Sequence, residues 1–214
     1  MEVTKHTQPF EFLVAENFVP VGLALGAMNA VPAATSKGWV RYDNDFERRK
    51  WACNDFDVLA PPWAALFAHF ASEAFVRWVA ASLGLGPSRL RIDMHGAGCH
   101  VSFAGSVLQP HLDFSINPKT GLQRLANVIL YLNQDWHDLW GGATEMCDMD
   151  GNAVARVRPA FNRAVIWRPG DDTVHGVEPM RADAPPRLTA ACYFSGEPLA
   201  GCSPRRRAMF IPRR

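Results

Sequence analysis

The residues best suited to chemistry lie in the segment "QPHLDFS", where His111 and Asp113 stand on either side of Leu112. In a β-strand, successive side chains point to opposite faces, so these two polar residues would share one face. Two polar side chains that point into a protein interior are costly unless a partner satisfies them, and a metal ion would do so. An H-x-D triplet alone is a weak signal. We therefore interpret His111 and Asp113 as two ligands of a set that needs a third.

The third ligand is expected on a distant strand, and "DDTVHGVEP" offers His175. Two histidines and one carboxylate on one side of a metal leave its other positions open. That arrangement is typical of non-haem Fe(II) oxygenases. Zinc hydrolases also use two histidines and a carboxylate, but their helical H-E-x-x-H motif is not in this sequence. The set therefore favours iron.

Iron of this type takes two electrons from a co-substrate, commonly a 2-oxo acid. The far carboxylate of that acid needs a cation in a dry pocket, and the planar fork of arginine suits a carboxylate. Arg187 lies twelve residues after His175, at the start of the predicted strand "RLTAACYF". Thr189 would share its face. An arginine at a solvated sheet edge is the alternative, but after the H-x-D and the distal histidine we favour anion binding.

The elements that must position these residues change in character near residue 89. Before it, "PPWAALFAHFA" and "SEAFVRWVAASLG" predict helices, with an N-cap at Ser72 and a stop at Gly84. The predicted helical part spans about 8–86. After it, short β-rich runs separated by turns predict a sandwich or barrel over about 89–196. We expect a mainly β fold, with N-terminal helices packed on a double-sheet jelly roll.

Composition predicts one domain over 1–214, because 214 residues are long for one domain and short for two. The net charge of +1 gives no field that would attract nucleic acid or a membrane. Five cysteines without a C-x-x-C motif argue against a disulfide framework and predict a cytoplasmic location. A basic tail, about 203–214, predicts a solvated or loosely docked end, with an anionic partner as the alternative.

From about Trp39 to Ser195 the chain resembles the 2-oxoglutarate and Fe(II)-dependent oxygenase superfamily, in particular its prolyl-4-hydroxylase-like branch. The matching segments are "PHLDF", "NVILYLNQDWHDLWGGATEM", "PAFNRAVIW", "HGVEP" and "RLTAACYF". They follow the order and spacing of the family. The resemblance implies a distorted double-stranded β-helix, which agrees with the strand pattern.

The resemblance also implies roles. His111, Asp113 and His175 match the iron ligands of the family, and Arg187 matches its basic residue for the C5 carboxylate of 2-oxoglutarate. Tyr131 matches a position that donates a hydrogen bond to the same carboxylate, with a core tyrosine as the alternative.

Other positions are interpreted more simply. Thr189 is a further co-substrate candidate on the Arg187 face. His95 and His100, on either side of "GAG", are candidates for substrate contact or ordinary polar residues at strand ends. We interpret the "GG" at 141–142 and the "NR" at 162–163 as structural.

The implied activity is hydroxylation of an unactivated C–H bond in a prolyl residue, an amino acid or a small metabolite. Fe(II), 2-oxoglutarate and O2 would be required, with ascorbate as a stimulant, and succinate and CO2 would be released. Desaturation, epoxidation and cyclisation use the same ligands and stay open. Asp113 argues against halogenases, which lack the carboxylate. A jelly-roll protein that binds metal or ligand without turnover, or a cupin-type isomerase or hydrolase, is the alternative of another class.

Overall fold

The structure is a computed structural model and describes residues 1–86 and 90–211. These residues form a curled antiparallel sheet of twelve strands with helices on its outer face. The strands are β1 Glu2–His6, β2 Phe12–Glu16, β3 Val40–Tyr42, β4 Glu47–Cys53, β5 Arg91–Leu112, β6 Gln123–Tyr131, β7 Thr144–Cys147, β8 Ala153–Val157, β9 Ala164–Trp167, β10 His175–Val177, β11 Arg187–Gly196 and β12 Met209–Phe210. The helices are α1 Val21–Asn29, α2 Pro61–Ala71 and α3 Glu73–Ser82.

Strand β5 joins the two halves of the sheet. The strand order is β1-β2-β9-β6-β11-β5-β10-β7-β8, and β4 and β12 also pair with β5. The first half of β5 pairs with β11, whereas its end pairs with β10. Because one strand takes part in both halves, the sheet curls around an interior space. The predicted mainly β, jelly-roll fold is therefore confirmed.

The helices pack on the outer face of the sheet. The buried residues of α2 follow a helical repeat: Trp63, Leu66, Phe67 and Phe70. Helix α3 begins at Ser72, whose side chain accepts a hydrogen bond from the Phe75 amide at 3.4 Å, as predicted. The Phe75 ring lies 6.3 Å from that of Phe194 in β11. No helix within the described ranges has the length and apolar character needed to cross a membrane.

The N-terminal part is less helical than predicted. Strands β2, β3 and β4 lie within the span 8–86 that the sequence assigned to helices. Strand β2 forms because β9 pairs with it, and β4 forms because β5 pairs with it. These pairings join residues far apart in the chain, so local apolar periodicity could not indicate them.

The interpretation of the "NR" pair as structural is confirmed. Asn162 has a φ of 60°, and its amide group both donates to and accepts from the backbone of Val19, at 2.8 and 3.0 Å. Arg163 donates to Glu16 at 2.6 Å. These bonds attach the N-terminal segment to the turn before β9.

The basic tail, predicted to be solvated or loosely docked, is in part docked on the sheet. Strand β12 pairs with the end of β5, so the segment 203–211 is docked through its backbone. The Arg205 side chain is only 17% exposed and donates to the Asp171 carboxylate at 2.6 Å. Arg206 and Arg207 are exposed, as predicted. Arg213 and Arg214 lie outside the described residues.

Candidate active site

Three predicted residues converge at the end of β5. Its pairing with β10 places His111 directly opposite His175. Asp113 follows the last residue of β5, and its two carboxylate oxygens lie 3.7 Å from His111 Nε2 and 3.6 Å from His175 Nε2. All three potential ligand atoms lie within 4.8 Å of one another. Leu112 points away, into an apolar cluster with Cys147 and Val174, as predicted.

Backbone carbonyl groups fix how the two imidazoles are presented. His111 Nδ1 lies 2.9 Å from the Gln109 carbonyl oxygen, and His175 Nδ1 lies 2.9 Å from that of Thr173. A carbonyl only accepts, so each Nδ1 carries the proton and donates it. Each Nε2 therefore presents a lone pair towards Asp113, which is the arrangement that metal-binding histidines require.

The protonation states also suit metal binding. Burial, with a contribution from His175, lowers the pKa of His111 to about 3, so the imidazole is neutral at pH 7. Burial alone would raise the pKa of Asp113, but Arg124, the two histidines and a hydrogen bond from Asn127 together hold it well below its usual range. A neutral imidazole and an ionised carboxylate are the forms in which these two residues bind a divalent metal.

The three residues line a cavity of about 230 Å³ that also contains Arg187. The Arg187 guanidinium is buried and lies 5.2 Å from the centroid of the Tyr131 ring. It donates to the Gly142 carbonyl oxygen at 2.7 Å and to Thr144 Oγ1 at 3.1 Å. Within residues 1–86 and 90–211 it has no carboxylate partner. A buried cation without an anion is costly, which indicates an anion-binding site.

The register of β6 against β11 fixes the sequence of polar and apolar side chains along the cavity wall. Asn127, bonded to Asp113, is four residues from Tyr131, which lies under Arg187. Four residues of strand span roughly 13 Å. Between these polar ends, Ile129 lies opposite Ala191. The wall is therefore polar at the predicted metal ligands, apolar in the middle and cationic at the far end.

The Tyr131 side chain lies behind the cavity surface and does not line it. It was predicted to reach the co-substrate directly, but its hydroxyl donates to Thr144 Oγ1 at 2.6 Å, and Thr144 rather than Tyr131 lines the cavity. Because Thr144 Oγ1 accepts from both Tyr131 and Arg187, its own hydrogen remains available to a ligand. Burial raises the pKa of Tyr131, so its hydroxyl stays a donor.

Of the three other predicted contact residues, two line the cavity and one does not. Thr189 and His100 are buried, face each other across β11 and β5, and line the cavity. Burial lowers the pKa of His100 to about 3, so it is neutral at pH 7. His95 does not line the cavity, so its predicted substrate contact is not supported. Its amide donates to Asp93 and its ring packs against Phe114, because the backbone turns at Gly96, where φ is 77°.

The "GG" segment holds Arg187 in place. A Cβ atom on Gly141 would lie 2.3 Å from the Pro179 carbonyl oxygen, and the φ of Gly142 is 78°. Both positions therefore require glycine. The Gly142 carbonyl oxygen is the acceptor for Arg187 Nε. The prediction that the backbone turns or passes closely here is confirmed.

Sequence reasoning missed two residues beside Asp113. Asn127 Nδ2 donates to Asp113 Oδ2 at 2.6 Å, and Arg124 Nη1 lies 3.4 Å from the same oxygen. The Arg124 guanidinium is held between the rings of Phe114 and Tyr193, 3.8 and 3.7 Å from their centroids. Three positions apart, Arg124 and Asn127 would face opposite ways in a regular strand. A register shift in the β6–β11 pairing lets both line the cavity.

The residues present fit a metal ion and a dicarboxylate. Two buried polar atoms of the cavity wall, Asn127 Oδ1 and Trp167 Nε1, have no partner within the described residues. They belong to cross-strand neighbours, and the Trp167 ring packs edge-on against His175. Buried polar atoms without partners are uncommon and often mark a ligand site. Together with Arg187, a buried cation that has no carboxylate partner in the described part of the chain, they indicate that this cavity is built to hold ligands.

We predict that Asn127→Leu weakens Fe(II) binding by about 10- to 100-fold, the range typical of residues that orient a metal ligand. The substitution removes the donor that fixes Asp113 Oδ2. Asn117→Leu is the matched control, because Asn117 is also buried and donates to an aspartate, Asp93, outside the ligand set. Anaerobic calorimetric titration measures both. Equal loss in the two variants would contradict a specific role for Asn127.

Comparison with known proteins agrees with this geometry. Residues 98–195 match the 2OG-Fe(II) oxygenase superfamily. A search of curated protein sequences gives no significant match.

Among solved structures, a prolyl-4-hydroxylase from Pseudomonas putida is similar, with a TM-score of 0.65 and 18% identity over 87% of this chain and 93% of that one. A prolyl hydroxylase from Trichoplax adhaerens, in complex with a hypoxia inducible factor peptide fragment, has a TM-score of 0.61 and 17% identity over 86% and 83%. HygX from Streptomyces hygroscopicus, with nickel and 2-oxoglutarate bound, has a TM-score of 0.57 and 11% identity over 87% and 82%.

These identities are low, so the solved structures support only the fold. The family match covers the segment that carries the three converging residues and Arg187. The two findings confirm the resemblance predicted from the sequence. Residues 98–195 thus match the 2OG-Fe(II) oxygenase superfamily, and the fold of the chain is similar to that of prolyl-4-hydroxylases.

Proposed function

We propose that this protein is an Fe(II)- and 2-oxoglutarate-dependent dioxygenase that hydroxylates an unactivated C–H bond of an amino acid, a prolyl residue or a small metabolite. The observation that carries the proposal is the position of Arg187. Among residues 1–86 and 90–211 it has no carboxylate partner, and it is a buried cation in the same cavity as His111, Asp113 and His175. A protein that only held a metal would have no need for it.

His111, Asp113 and His175 would hold the iron, with Nε2 of each imidazole and the Asp113 carboxylate as ligand atoms. Arg187 and Thr144 would bind the far carboxylate of 2-oxoglutarate, and Ile129 would contact its apolar middle. Iron with 2-oxoglutarate supplies the oxidising power, and the overall reaction consumes O2 and releases succinate and CO2.

The protein itself would hold the metal ligands in position and exclude water from them. Second contacts hold each proposed ligand: Gln109 for His111, Thr173 for His175 and Asn127 for Asp113. Trp167 covers His175, and Arg124, held between two rings, covers Asp113. A buried set of this kind keeps its geometry without reorganisation and limits the access of water.

The proposal is tested by anaerobic titration of metal-free protein with Fe(II) and then 2-oxoglutarate, followed in the visible spectrum. We expect a weak charge-transfer band that requires both additions. On admission of O2, we expect succinate release. A compound from an amino-acid and peptide panel that the enzyme hydroxylates should increase the rate of that release. Iron binding with no band would contradict the oxygenase proposal, and a band without succinate would favour binding without turnover.

A further inference from the structure

The C-terminal segment forms part of the cavity wall. Strand β12 pairs with the end of β5, with Phe210 opposite His111 and Met209 opposite Leu112. Ala208 and Phe210 line the same cavity as the three proposed metal ligands. The Phe210 ring lies 5.3 Å from the His111 ring. A segment that the sequence placed outside the catalytic core thus contacts the metal-binding region directly.

The segment is anchored at the predicted metal centre. Arg205 Nε donates to the backbone carbonyl oxygen of Asp113 at 2.7 Å, and its Nη1 donates to Asp171 at 2.6 Å. The Arg205 amide donates to Ser115 Oγ at 2.7 Å. The two bonds from the Arg205 guanidinium are charge-assisted, and such bonds are about twice as strong as neutral ones. The anchor therefore holds the segment at a residue that belongs to the ligand set.

Phe210 also bridges to the opposite wall. Its ring stacks on that of Phe46, with centroids 4.6 Å apart and planes 15° apart. Phe46 precedes β4, which contributes Glu47 and Lys50 to the cavity lining. The aromatic stack thus joins the C-terminal segment to the β3–β4 hairpin. The stack therefore connects these two walls beside the metal-binding region.

The cavity beside this stack is small. The cavity measures about 230 Å³, below the range of about 300–1,000 Å³ for pockets that take drug-sized ligands. If the proposed function holds, 2-oxoglutarate occupies part of this volume. An extended polypeptide, which would enter and leave on both sides of the reacting residue, would have to displace Phe210 from Phe46.

We propose that Phe210 is a specificity-determining residue whose stack on Phe46 restricts this protein to small free substrates and excludes residues within a polypeptide. The inference rests on the proposed function, since it names the substrate class of the same site. The C-terminal strand is then a wall of the substrate pocket.

The test compares wild type with Phe210→Ala and the matched control Met209→Ala. Met209 neighbours Phe210 on β12 and is 48% exposed. Fe(II)-loaded protein is mixed anaerobically with a small chelator, 2,2′-bipyridine, or a bulky one, ferrozine, and the rate of iron removal is read from absorbance. We expect Phe210→Ala to raise the ferrozine rate roughly tenfold, in line with the loss of one aromatic stack. The bipyridine rate and Met209→Ala should change little.

A second arm uses a proline-containing polypeptide, poly-L-proline, as substrate probe in the succinate assay. Wild type should not respond to it. An unchanged ferrozine rate in Phe210→Ala, or polypeptide-stimulated succinate release by wild type, would overturn the proposal. Phe210→Leu, which retains an apolar side chain, replaces the alanine variant if that variant does not fold. Failure of wild type to bind Fe(II) and 2-oxoglutarate would instead contradict the proposed function, so the two failures are distinguishable.

Discussion

His175→Ala is expected to abolish the charge-transfer band and to weaken Fe(II) binding by more than about 100-fold. Loss of a residue that merely orients a ligand already costs about 10- to 100-fold in metal affinity, so loss of a ligand should exceed that range. The two remaining groups, His111 and Asp113, would bind the metal from a single chain segment at the end of β5. Anaerobic calorimetric titration with Fe(II), followed by 2-oxoglutarate addition in the visible range, measures both effects.

His95→Ala is the matched control for this variant. His95 belongs to the same strand as His111 but lies outside the cavity lining. Its replacement should leave metal affinity and the band near their wild-type values. A His175→Ala protein that binds Fe(II) as tightly as wild type would contradict the assignment of the three ligands. Equal losses in the two variants would point to a general effect on folding.

Arg187→Leu is expected to reduce the affinity of the iron-loaded protein for 2-oxoglutarate by roughly 30- to 4,000-fold. Truncating one partner of a buried, hydrogen-bonded charge pair typically costs about 2–5 kcal/mol. Fe(II) affinity should stay unchanged, because Arg187 contacts Gly142 and Thr144 rather than the ligands. Titration of the charge-transfer band with 2-oxoglutarate measures the effect.

The stability of the Arg187→Leu variant without bound metal or 2-oxoglutarate is a separate expectation. Replacing Arg187 removes a buried cation that no carboxylate of the described residues compensates, which favours the folded state. It also removes two hydrogen bonds, each contributing about 1 kcal/mol. The free energy of unfolding of the metal-free protein should therefore change little. Arg158→Leu, at an exposed arginine paired with Asp138, is the control that should leave 2-oxoglutarate affinity unaffected. A large loss of stability without loss of affinity would indicate that Arg187 is structural.

The parts of the site that the sequence could predict follow from strand geometry. Alternation places His111 and Asp113 on one face, and the same rule joins Arg187 to Thr189. The role proposed for His175 could not be predicted from strand alternation, because β10 is only three residues long. The family resemblance supported that role. Asn127 could have been found from the sequence. It is a polar residue in an apolar strand, on the same alternating face as Ile129 and Tyr131.

The parts that could not be predicted depend on irregular backbone or on distant pairing. Arg124 faces the cavity only because the β6–β11 register shifts. Glu47 and Lys50 face it together because Arg49, with a φ of 54°, interrupts β4. Tyr131 lies behind Thr144 and does not line the cavity, which agrees with its alternative interpretation as a core tyrosine. Bulges and strand partners are tertiary features, and no local pattern specifies them.

The pairing of β12 with β5 has a further consequence for how the protein behaves in concentrated solution. Where β12 lies, the end of β5 has a second neighbour besides β10, so its backbone groups are paired on both sides. Without β12, this part of β5 would be an open edge, flanked by apolar side chains such as Leu112 and Val174. Open strand edges are templates for pairing with other chains. Truncation that removes β12 would therefore promote aggregation, beginning at the strand that carries His111.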